Sequence, residues 1–278
     1  MRFANFDNRA ALIVEGGVVD VEEASGGQFS ADPAGAFQNW KKFSAWAKDI
    51  PQAPAKALDY SLLGCPSPSP AQIFAIGLNY LDHAMESGVT ETPNSPVVFT
   101  KFRTCITGPE TRLKLPSANV DWEVELVAVI GKEAIAVGVD DALGHVAGLS
   151  VGQDYSERVV QAAGAMPQFS LAKSFPGFGP VGPWLVSLDE IGNPDDLAIR
   201  CEINGETMQS SRTSSLIFSL SELVSRLSQV CTLLPGDIIF TGTPSGVGGA
   251  RNPKIFLRPG DEVISTVEGI GSLRQICE

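Results

Sequence analysis

Two glutamates interrupt an apolar stretch that has the composition of a β-strand. Residues 120–131 are rich in β-branched and apolar side chains, yet they include Glu123 and Glu125. Side chains two positions apart in a strand point to the same face, about 7 Å apart along the backbone. Two like charges this close in a buried strand repel each other unless a cation lies between them. The pair therefore predicts a metal site, although a solvated face at the start of an edge strand is the alternative.

A third carboxylate follows the next apolar segment of the chain. Residues 145–153 form this segment, and Asp154 comes directly after it. A carboxylate at a strand end could converge on the glutamate pair, and three carboxylates form the hard oxygen shell that suits Mg²⁺ or Mn²⁺. Arg158 and Gln161 follow by four and seven residues, which is the spacing of one helix face. The sequence therefore predicts a metal centre bordered by two polar side chains.

Only two histidines are available for acid–base chemistry, His83 and His145. His83 precedes Glu86 by three residues, so on a helical turn the carboxylate could hold the imidazole proton. The following residues are rich in Gly, Pro and polar side chains and predict a mobile loop, which a lid over a site requires. An incidental surface contact is the alternative interpretation of this pair. His145 has no acidic neighbour on its strand, and we interpret it as structural.

The composition excludes several classes of function. The 278 residues carry 32 acidic and 20 basic side chains, which gives a net charge of -12. This charge argues against nucleic acids and anionic membrane surfaces as partners, since both require a basic face. No apolar run approaches the roughly 20 residues that span a bilayer, and the first residues lack the apolar core of a signal peptide. The five cysteines are scattered and never form C-x-x-C, so we expect reduced thiols and a cytoplasmic location.

A proline-rich connector divides the chain into two expected domains. Before it, residues 10–21 predict a β-hairpin and residues 37–47 predict a helix. The alternating prolines of residues 65–70 exclude helix and regular sheet. We therefore expect a small N-terminal domain over residues 1–65 and a larger domain over residues 66–278.

The second domain is predicted to consist mainly of strands. Short apolar segments alternate with Gly- and Pro-rich turns, and residues 171–183 are interpreted as a loop. Apart from the helical spacings at His83–Glu86 and Arg158–Gln161, a helical turn is predicted over residues 141–144 and an amphipathic helix over residues 221–230. Many short strands with few helices predict an α+β, β-rich fold.

Two glycine motifs suggest other enzyme classes but do not fit them. Residues 177–182 match G-x-G-x-x-G, but Pro180 and Pro183 prevent the helix that a dinucleotide-binding fingerprint must open. Residues 148–152 match the G-x-S-x-G elbow of serine hydrolases. Both histidines precede Ser150, however, whereas the histidine comes last in α/β-hydrolases.

Six segments occur in the order in which one protein family carries them. They are GLNYLDHAME (77–86), DWEVEL (121–126), QDYSER with Gln161 (153–161), KSF (173–175), INGE (203–206) and PGD through GTPSGVG (235–248). Each is weak alone, but the ordered set is specific. Over roughly residues 70–275 the chain resembles the fumarylacetoacetate hydrolase superfamily, which includes acylpyruvate hydrolases.

This resemblance implies a fold, an assembly and a set of site residues. The fold would be a mixed β-roll catalytic domain with a small N-terminal α/β domain, and the assembly is usually a homodimer. Glu123, Glu125 and Asp154 match the ligands of Mg²⁺ or Mn²⁺. His83 and Glu86 match a catalytic dyad on a lid that becomes ordered when ligand binds.

The resemblance also implies residues that contact the substrate, which would be a small anionic keto acid. Lys173 matches a further catalytic residue that also contacts the substrate. Arg158, Gln161 and Thr243 match substrate-binding positions. We also expect substrate contacts from Tyr80 in the first motif and from Lys101 at the end of a predicted strand. One departure is Pro176, where members commonly carry an Asp three residues after the loop lysine. This departure concerns the residues that hold the lysine and those that select the substrate.

Together these residues predict a Mg²⁺-dependent hydrolase that cleaves a C–C bond in a 2,4-diketo acid of the acylpyruvate type, within aromatic or sugar acid catabolism. His83, oriented by Glu86, would activate water, while the metal stabilises the departing enolate. Lys173 and Gln161 would stabilise the tetrahedral oxyanion. The alternatives are an oxaloacetate-type decarboxylase, a 2-hydroxy-dienoate isomerase on the same metal centre, or a catalytically silent binding protein. The complete dyad favours hydrolysis, since an isomerase needs no activated water.

Overall fold

Strands form most of the regular structure of the computed structural model, which describes residues 1–48, 50, 55–88, 91 and 93–278. They assemble into one large sheet, one five-stranded sheet and one two-stranded ribbon. The predicted strand-rich α+β fold is confirmed. Within the described ranges, no helix has both the length and the apolar content needed to cross a membrane.

The strands of the described residues are numbered in chain order. They are β1 (Arg2–Phe6), β2 (Arg9–Val14), β3 (Gly17–Asp20), β4 (Leu63–Gly64), β5 (Ile73–Gly77), β6 (Val97–Thr100), β7 (Ile106–Thr107), β8 (Glu110–Leu113), β9 (Val120–Asp121), β10 (Val124–Ile130), β11 (Val146–Gln153), β12 (Ser156–Glu157), β13 (Gly179–Val186), β14 (Ala198–Ile203), β15 (Glu206–Arg212), β16 (Ile238–Phe240), β17 (Glu262–Val267) and β18 (Gly271–Cys277).

The α-helices are short. They are α1 (Val21–Ala24), α2 (Pro33–Phe37), α3 (Trp40–Lys48), α4 (Leu81–Glu86), α5 (Val139–Ala142), α6 (Arg158–Gln161), α7 (Phe169–Ala172) and α8 (Leu220–Ser228). Helix α8 begins with a capping box, in which Ser219 and Glu222 each accept the backbone N–H of the other. The helix predicted near residues 221–230 is thereby confirmed.

The large sheet places the N-terminal hairpin next to the strands that carry the acidic residues. Its order is β3-β2-β1-β13-β11-β10-β16-β5-β6, with β4 paired to β1 and β7 paired to β13. The sheet is mixed, because β16 runs parallel to β5 whereas β10 runs antiparallel to β11. Phe3 of β1 lies opposite Leu185 of β13, so residues 1–65 share a sheet with the rest of the chain. The domain boundary at residue 65 stays a prediction.

Strand β10 separates two parts of the hydrophobic core. On one face, Leu126, Ala128 and Ile130 join a cluster that includes side chains of the five-stranded sheet β15-β14-β17-β18-β8. On the other face, Val127 and Val129 join a cluster with aromatic residues of α2 and α3. This alternation follows from the two-residue period of a strand. Because both faces are covered, every residue of β10 is buried.

The strand predicted over residues 120–131 is interrupted, which corrects the sequence-based expectation. Strand β9 ends at Asp121 and pairs with β12, and β10 begins three residues later. The N–H groups of residues 122–124 donate to the side chains of Asp121, Gln153 and Gln209. Since these side chains replace a neighbouring strand, the backbone can leave the ladder with its polar groups satisfied.

Three further differences concern local elements. The hairpin of β2 and β3 is confirmed, but β1, which pairs with β2, was not predicted. The helix predicted over residues 37–47 is divided between α2 and α3.

Residues 179–183 belong to β13 and not to a loop. The pairing of β13 with β11 shifts register between Leu149 and Val151, and such an irregularity accommodates proline within a sheet.

Candidate active site

The three predicted metal ligands lie together at the ends of two neighbouring strands. Strands β10 and β11 pair so that Val124 faces Gln153, which places Glu123 just before one strand and Asp154 just after the other. The Asp154 N–H donates to the carbonyl oxygen of Glu123 at 2.9 Å. One carboxylate oxygen from each of Glu123, Glu125 and Asp154 lies within 4.8 Å of the other two, and all three residues are buried.

Two buried glutamines fix the backbone at the first of these ligands. Gln153 accepts the Glu123 N–H at 2.8 Å, and Gln209 accepts the Val124 N–H at 3.0 Å. Gln209 also donates to Thr243 Oγ1 at 2.8 Å. Buried N–H groups require such partners. Gln209 therefore connects the acidic strand to the loop that carries Thr243.

Three cationic side chains bond to the carboxylates. Lys173 Nζ lies 2.5 Å from Glu123 Oε2 and 2.7 Å from Asp154 Oδ2. Lys101 Nζ lies 2.5 Å from Asp154 Oδ1, and Arg158 Nη2 lies 2.7 Å from Glu123 Oε1. Burial acts to raise the pKa of Glu123, but the charges of Lys173 and Arg158 outweigh it and lower this pKa to about 2. Glu123 is therefore ionised at neutral pH.

Among the described residues, no cationic side chain bonds to Glu125, although the charge of Lys173 acts on it from a distance. Its Oε2 accepts the Gly242 N–H at 2.7 Å, and no lysine or arginine within the described part of the chain forms an ion pair with it. Burial, together with the charges of Asp154 and Glu123, raises the pKa of Glu125 well above its usual value. A cation beside this carboxylate would relieve both effects.

The donor set fits a divalent cation. Mg²⁺ and Mn²⁺ prefer carboxylate oxygens, and oxygens bound at about 2.1 Å from one ion lie roughly 3 to 4 Å apart. The observed separations, within 4.8 Å, approach this arrangement. Glu123, Glu125 and Asp154 would hold the ion, and Lys173 would share two of these carboxylates with it. The fit applies to both metals alike.

The predicted dyad forms on α4. His83 Nδ1 lies 2.7 Å from Glu86 Oε1, and only 7% of His83 is exposed. An Nδ1–H that donates to Glu86 leaves the lone pair of the imidazole on Nε2. The Glu86 carboxylate also accepts the Gly246 N–H, at 3.1 and 3.2 Å. The residue thus orients the imidazole and connects α4 to the loop after β16.

Asn79 anchors α4 to the rest of the structure. Its side chain donates to the carbonyl oxygens of Phe218 and Thr241 at 3.0 and 2.7 Å, and it accepts the Phe218 N–H at 2.8 Å. The preceding Leu78 has a φ of 54°, which is unusual for a non-glycine residue. The chain thus turns sharply out of β5 to bring His83 over the sheet. The loop predicted to be mobile follows α4, and its residues 89, 90 and 92 lie outside the described residues.

A cavity of about 660 Å³ joins the dyad to the carboxylates. This volume suits a small organic ligand. Predicted site residues form much of the polar lining: His83, Glu86, Glu123, Glu125, Arg158, Gln161, Lys173 and Thr243. Apolar side chains, among them Phe99, Phe169 and Phe256, form other parts of the wall. The structure therefore places an acid–base pair and a candidate metal centre in one cavity.

Three predicted site residues lie outside the lining. Asp154 is fully buried and contacts the site through Lys173 and Lys101. Lys101 is 3% exposed and also donates to two backbone carbonyls, which makes it a support for Asp154. Tyr80 is fully buried beside α4, and its hydroxyl has no hydrogen-bond partner among the described residues. Substrate contacts of Tyr80 and Lys101 stay predictions that this cavity does not favour.

Asp121 is an important residue that the sequence analysis missed. It is fully buried, and its carboxylate accepts the Gly248 and Gly249 N–H groups at 2.7 and 2.8 Å and Arg158 Nε at 2.8 Å. The sequence contained a usable signal for Asp121. It lies two residues before Glu123, so the pattern D-x-E-x-E extends the alternation of acidic residues that identified Glu123 and Glu125. Gln153, Gln209 and the cavity residue Lys254 gave no comparable pattern.

The remaining sequence-based interpretations concern Pro176 and His145. Lys173 is held by the carboxylates of Glu123 and Asp154, so an acidic residue at position 176 is not needed to hold its ammonium group. His145 Nδ1 contacts the Glu133 carbonyl oxygen at 2.8 Å and lies outside the cavity lining, in agreement with a structural role.

Comparison with known sequences gives a consistent result. Residues 72–277 match the family described as fumarylacetoacetate (FAA) hydrolase C-terminal. The chain is 43% identical over 229 residues to the mitochondrial oxaloacetate tautomerase FAHD2A of Bos taurus, an alignment that covers 82% of this chain and 72% of the relative.

Solved structures agree with this assignment. A Mycobacterium smegmatis protein assigned as HpcE has 52% sequence identity and a TM-score of 0.96, over 100% of this chain and 99% of that one. Fumarylpyruvate hydrolase from Pseudomonas aeruginosa, solved in complex with Mn²⁺ and pyruvate, has 31% identity and a TM-score of 0.68, over 75% of this chain and 89% of that one. The resemblance noted in the sequence is confirmed. The chain belongs to the fumarylacetoacetate hydrolase family of enzymes.

Proposed function

We propose that this protein is a divalent-metal-dependent tautomerase that interconverts the keto and enol forms of an oxaloacetate-type 2-oxo acid. The observation that carries the proposal is the His83–Glu86 pair, joined at 2.7 Å, in the same cavity as Glu123 and Glu125. Enolisation needs a base for a carbon-bound proton and positive charge near the oxygen that becomes negative. The bovine relative named as an oxaloacetate tautomerase supports this choice of substrate.

The carboxylates prepare the site for the metal. When bound by Glu123, Glu125 and Asp154, a divalent cation supplies Lewis-acid polarisation of the 2-oxo carbonyl. Lys173 and Arg158 hold Glu123 in place through ion pairs of 2.5 and 2.7 Å. These contacts keep the donor oxygens oriented before the substrate arrives.

His83 moves the proton. In the keto-to-enol direction, Nε2 removes a proton from the carbon next to the 2-oxo group. The electron pair of that C–H bond forms the new C=C bond, and the π electrons of the carbonyl group move to its oxygen. The imidazolium then returns a proton to this oxygen, which completes the enol. Glu86 accepts the Nδ1–H throughout and stabilises the imidazolium.

Two polar side chains of the lining orient the substrate carboxylate. Thr243 Oγ1 accepts a hydrogen bond from Gln209, which leaves the hydroxyl proton available to donate. Gln161 Oε1 accepts from Arg158 at 2.8 Å, so its NH₂ group remains available as a donor. Both donors line the cavity and suit an anionic keto acid.

Hydrolysis of an acylpyruvate is a second candidate, as the sequence analysis favoured. The same His83 could remove a proton from water, and the side chains of Lys173 and Gln161 line the cavity where an oxyanion would form. The similarity to fumarylpyruvate hydrolase supports this alternative. The dyad suits both reactions, because moving a proton between carbon and oxygen also requires a base. Tautomerisation ranks first because the relative named as an oxaloacetate tautomerase is more similar in sequence than the fumarylpyruvate hydrolase.

The two candidates differ in their products. We would dissolve enol-oxaloacetate in buffer with Mg²⁺-loaded protein, follow the loss of enol absorbance, and then measure total oxaloacetate and pyruvate. A tautomerase accelerates the absorbance loss while oxaloacetate is conserved. Release of pyruvate from oxaloacetate would instead indicate decarboxylation. Pyruvate release from fumarylpyruvate or acetylpyruvate, without any effect on enol-oxaloacetate, would overturn the proposal in favour of hydrolysis.

The location and assembly of the protein stay predictions. The name of the bovine relative places that protein in mitochondria, so the cytoplasmic location expected from the cysteines is not confirmed. The homodimer implied by the family resemblance also remains to be measured, for example by light scattering of the purified protein.

A further inference from the structure

One wall of the cavity is formed by residues 246–256, which we call the 246–256 loop. The buried Asp121 fixes its middle, because the two carboxylate oxygens accept the N–H groups of Gly248 and Gly249 at 2.7 and 2.8 Å. The same carboxylate binds Arg158. Asp121 therefore holds the 246–256 loop and one cation of the site in a single arrangement.

Further contacts close the loop on itself. The Ile255 N–H donates to the Gly248 carbonyl oxygen at 3.2 Å. A Cβ atom at Gly248 would lie 1.9 Å from the Ile255 carbonyl oxygen, so a larger residue could not occupy this position without displacing the backbone. Arg251 donates to the carbonyl oxygens of Gly246 and Met208 at 3.1 and 2.9 Å. The backbone of the loop is thus fixed at both ends and in the middle.

This fixed backbone presents Lys254 to the cavity. Lys254 is one of three cationic residues in the lining, with Arg158 and Lys173. The other two are already bonded to Asp121, Glu123 and Asp154. Lys254 is exposed, and its ammonium group forms no ion pair or hydrogen bond with another residue in the described ranges. It is therefore the lining cation that remains available for a ligand.

The charges of the site show what such a cation would do. Four buried carboxylates, those of Asp121, Glu123, Glu125 and Asp154, face three cations, those of the buried Lys101 and Lys173 and the partly buried Arg158. With all seven ionised the cluster carries one net negative charge, and a bound dication changes this to one net positive charge. One substrate carboxylate neutralises that charge, and the lining carboxylate of Glu86, which bonds to His83, adds a further negative charge. A second carboxylate requires another cation, because burying an unpaired charge is unfavourable.

We infer that Lys254 recognises a second carboxylate and makes this cavity selective for dicarboxylic 2-oxo acids over monocarboxylic ones. The inference rests on the proposed function for its choice of substrate, and it adds the residue that selects the substrate class. Lys254 acts on binding and not on the proton transfer. Its removal should therefore raise KM for a dicarboxylate while kcat changes little.

The test compares enol-oxaloacetate with its 4-methyl ester, which lacks the second charge. For the Mg²⁺-loaded wild-type protein, we expect kcat/KM to be higher for the dicarboxylate by about 10- to 100-fold, the range of a hydrogen bond between charged groups. Lys254→Met should remove this difference, mainly through KM, and Lys254→Arg should keep most of it. Lys41→Met, which removes an exposed lysine outside the cavity lining, is the matched control for net charge.

Binding of malate, a dicarboxylate that does not undergo the reaction, separates this inference from the proposed function. Calorimetry should show that the wild-type protein binds malate more tightly than malate 4-methyl ester and that Lys254→Met binds both alike. This result would support the role of Lys254 even if oxaloacetate were not a substrate. An equal preference in wild-type and Lys254→Met protein, or no preference in the wild type, would overturn the inference while leaving any tautomerase activity unaffected.

Discussion

The carboxylate cluster and α4 contribute to the same cavity but are held in different ways. Glu123 and Asp154 lie at the ends of central strands and are held by ion pairs with the buried Lys101 and Lys173 and with the partly buried Arg158. Helix α4 has six residues and exposes 50% of Leu81 and 67% of Met85. The difference indicates a division of labour, in which the sheet fixes the candidate metal centre and a lightly packed helix carries the proton-transfer group.

This contrast has a physical basis. A metal site needs several charged donors held at fixed distances, and the mutual repulsion of carboxylates must be balanced before the ion arrives. A base that acts on a bound substrate must allow that substrate to enter, and short helices with few buried side chains open at low free-energy cost. The contacts of Glu86 with Gly246 and of Ser245 with Asp82 are of the kind that could break and re-form.

Replacing a ligand in the cluster should have the largest effect. Glu125→Gln keeps the shape and can still accept the Gly242 N–H, but it removes one charged donor. We expect Mn²⁺ binding to be lost in titrations and the tautomerase rate to fall by at least about 1,000-fold. Glu110→Gln, a change at an exposed glutamate outside the cavity lining, is the matched control. Wild-type Mn²⁺ affinity in Glu125→Gln would remove Glu125 from the metal site.

The same substitution should stabilise the metal-free protein. Burial, and then the neighbouring carboxylates of Asp154 and Glu123, raise the pKa of Glu125. A neutral amide removes this repulsion and can donate to either neighbour. Thermal unfolding in EDTA should therefore show a midpoint a few degrees above that of the wild type. A lower midpoint would mean that Glu125 is not strained by its surroundings.

Removing the base should affect the reaction without affecting the metal. His83→Ala is expected to lower kcat by about 100- to 10,000-fold, the usual contribution of a positioned general base. Because His83 belongs to α4 and not to the carboxylate cluster, Mn²⁺ affinity should stay within about twofold of the wild type. Loss of metal binding in this variant would show that the two regions are not separate, and an unchanged rate would exclude His83 as the base.

The orienting partner should have a smaller effect than the base itself. Glu86→Gln can still contact Nδ1 but no longer stabilises the imidazolium by charge. We expect kcat to fall by about 10- to 100-fold, as for other residues that orient a catalytic group. The check is a steady-state comparison, in which kcat should fall while KM for enol-oxaloacetate changes little, because the charge of Glu86 acts on the proton transfer and not on binding. A rise in KM with an unchanged kcat would point to a purely structural role.

The smallest effect is expected at the hydrogen bond between Ser245 and Asp82, which joins α4 to the loop after β16. Ser245→Ala removes the hydrogen bond of 2.6 Å to Asp82, which is made outside the carboxylate cluster. We expect a few-fold rise in KM, little change in kcat, and an unfolding free energy within about 1 kcal/mol of the wild type. A large loss of stability would show that α4 is part of the structural core and would weaken the proposed division of labour.

The sequence was informative where the chemistry depends on local spacing. The Glu123–Glu125 pair, the carboxylate at the end of the next strand, and the His83–Glu86 turn were all recognisable, because two- and three-residue periods determine which side chains are neighbours. The strand-rich fold followed from the many short apolar segments between Gly and Pro turns. Apart from the unpredicted β1, these features needed no knowledge of distant contacts.

The rest depended on contacts between residues far apart in the chain. Strand β10 begins late because the Val124 N–H donates to Gln209, 85 residues away. Lys101 directly follows β6, one residue beyond the strand in which it was expected, and its side chain lies in the interior because Asp154 and two carbonyl oxygens surround its ammonium group. A local pattern cannot show which buried partner a lysine will meet. For the same reason, Lys254 could not be identified as a cavity residue.

The most direct test of the central claim is a metal titration of the reaction. Increasing concentrations of Mg²⁺ would be added to EDTA-stripped protein while the loss of enol-oxaloacetate absorbance is followed. The Glu125→Gln protein, measured at each Mg²⁺ concentration, is the blank that accounts for catalysis by Mg²⁺ alone. We predict that the wild-type rate rises from the blank value to a plateau with one Mg²⁺ bound per chain. A full wild-type rate in the metal-stripped protein, or a plateau shared by Glu125→Gln, would contradict the assignment of Glu123, Glu125 and Asp154 as the metal centre.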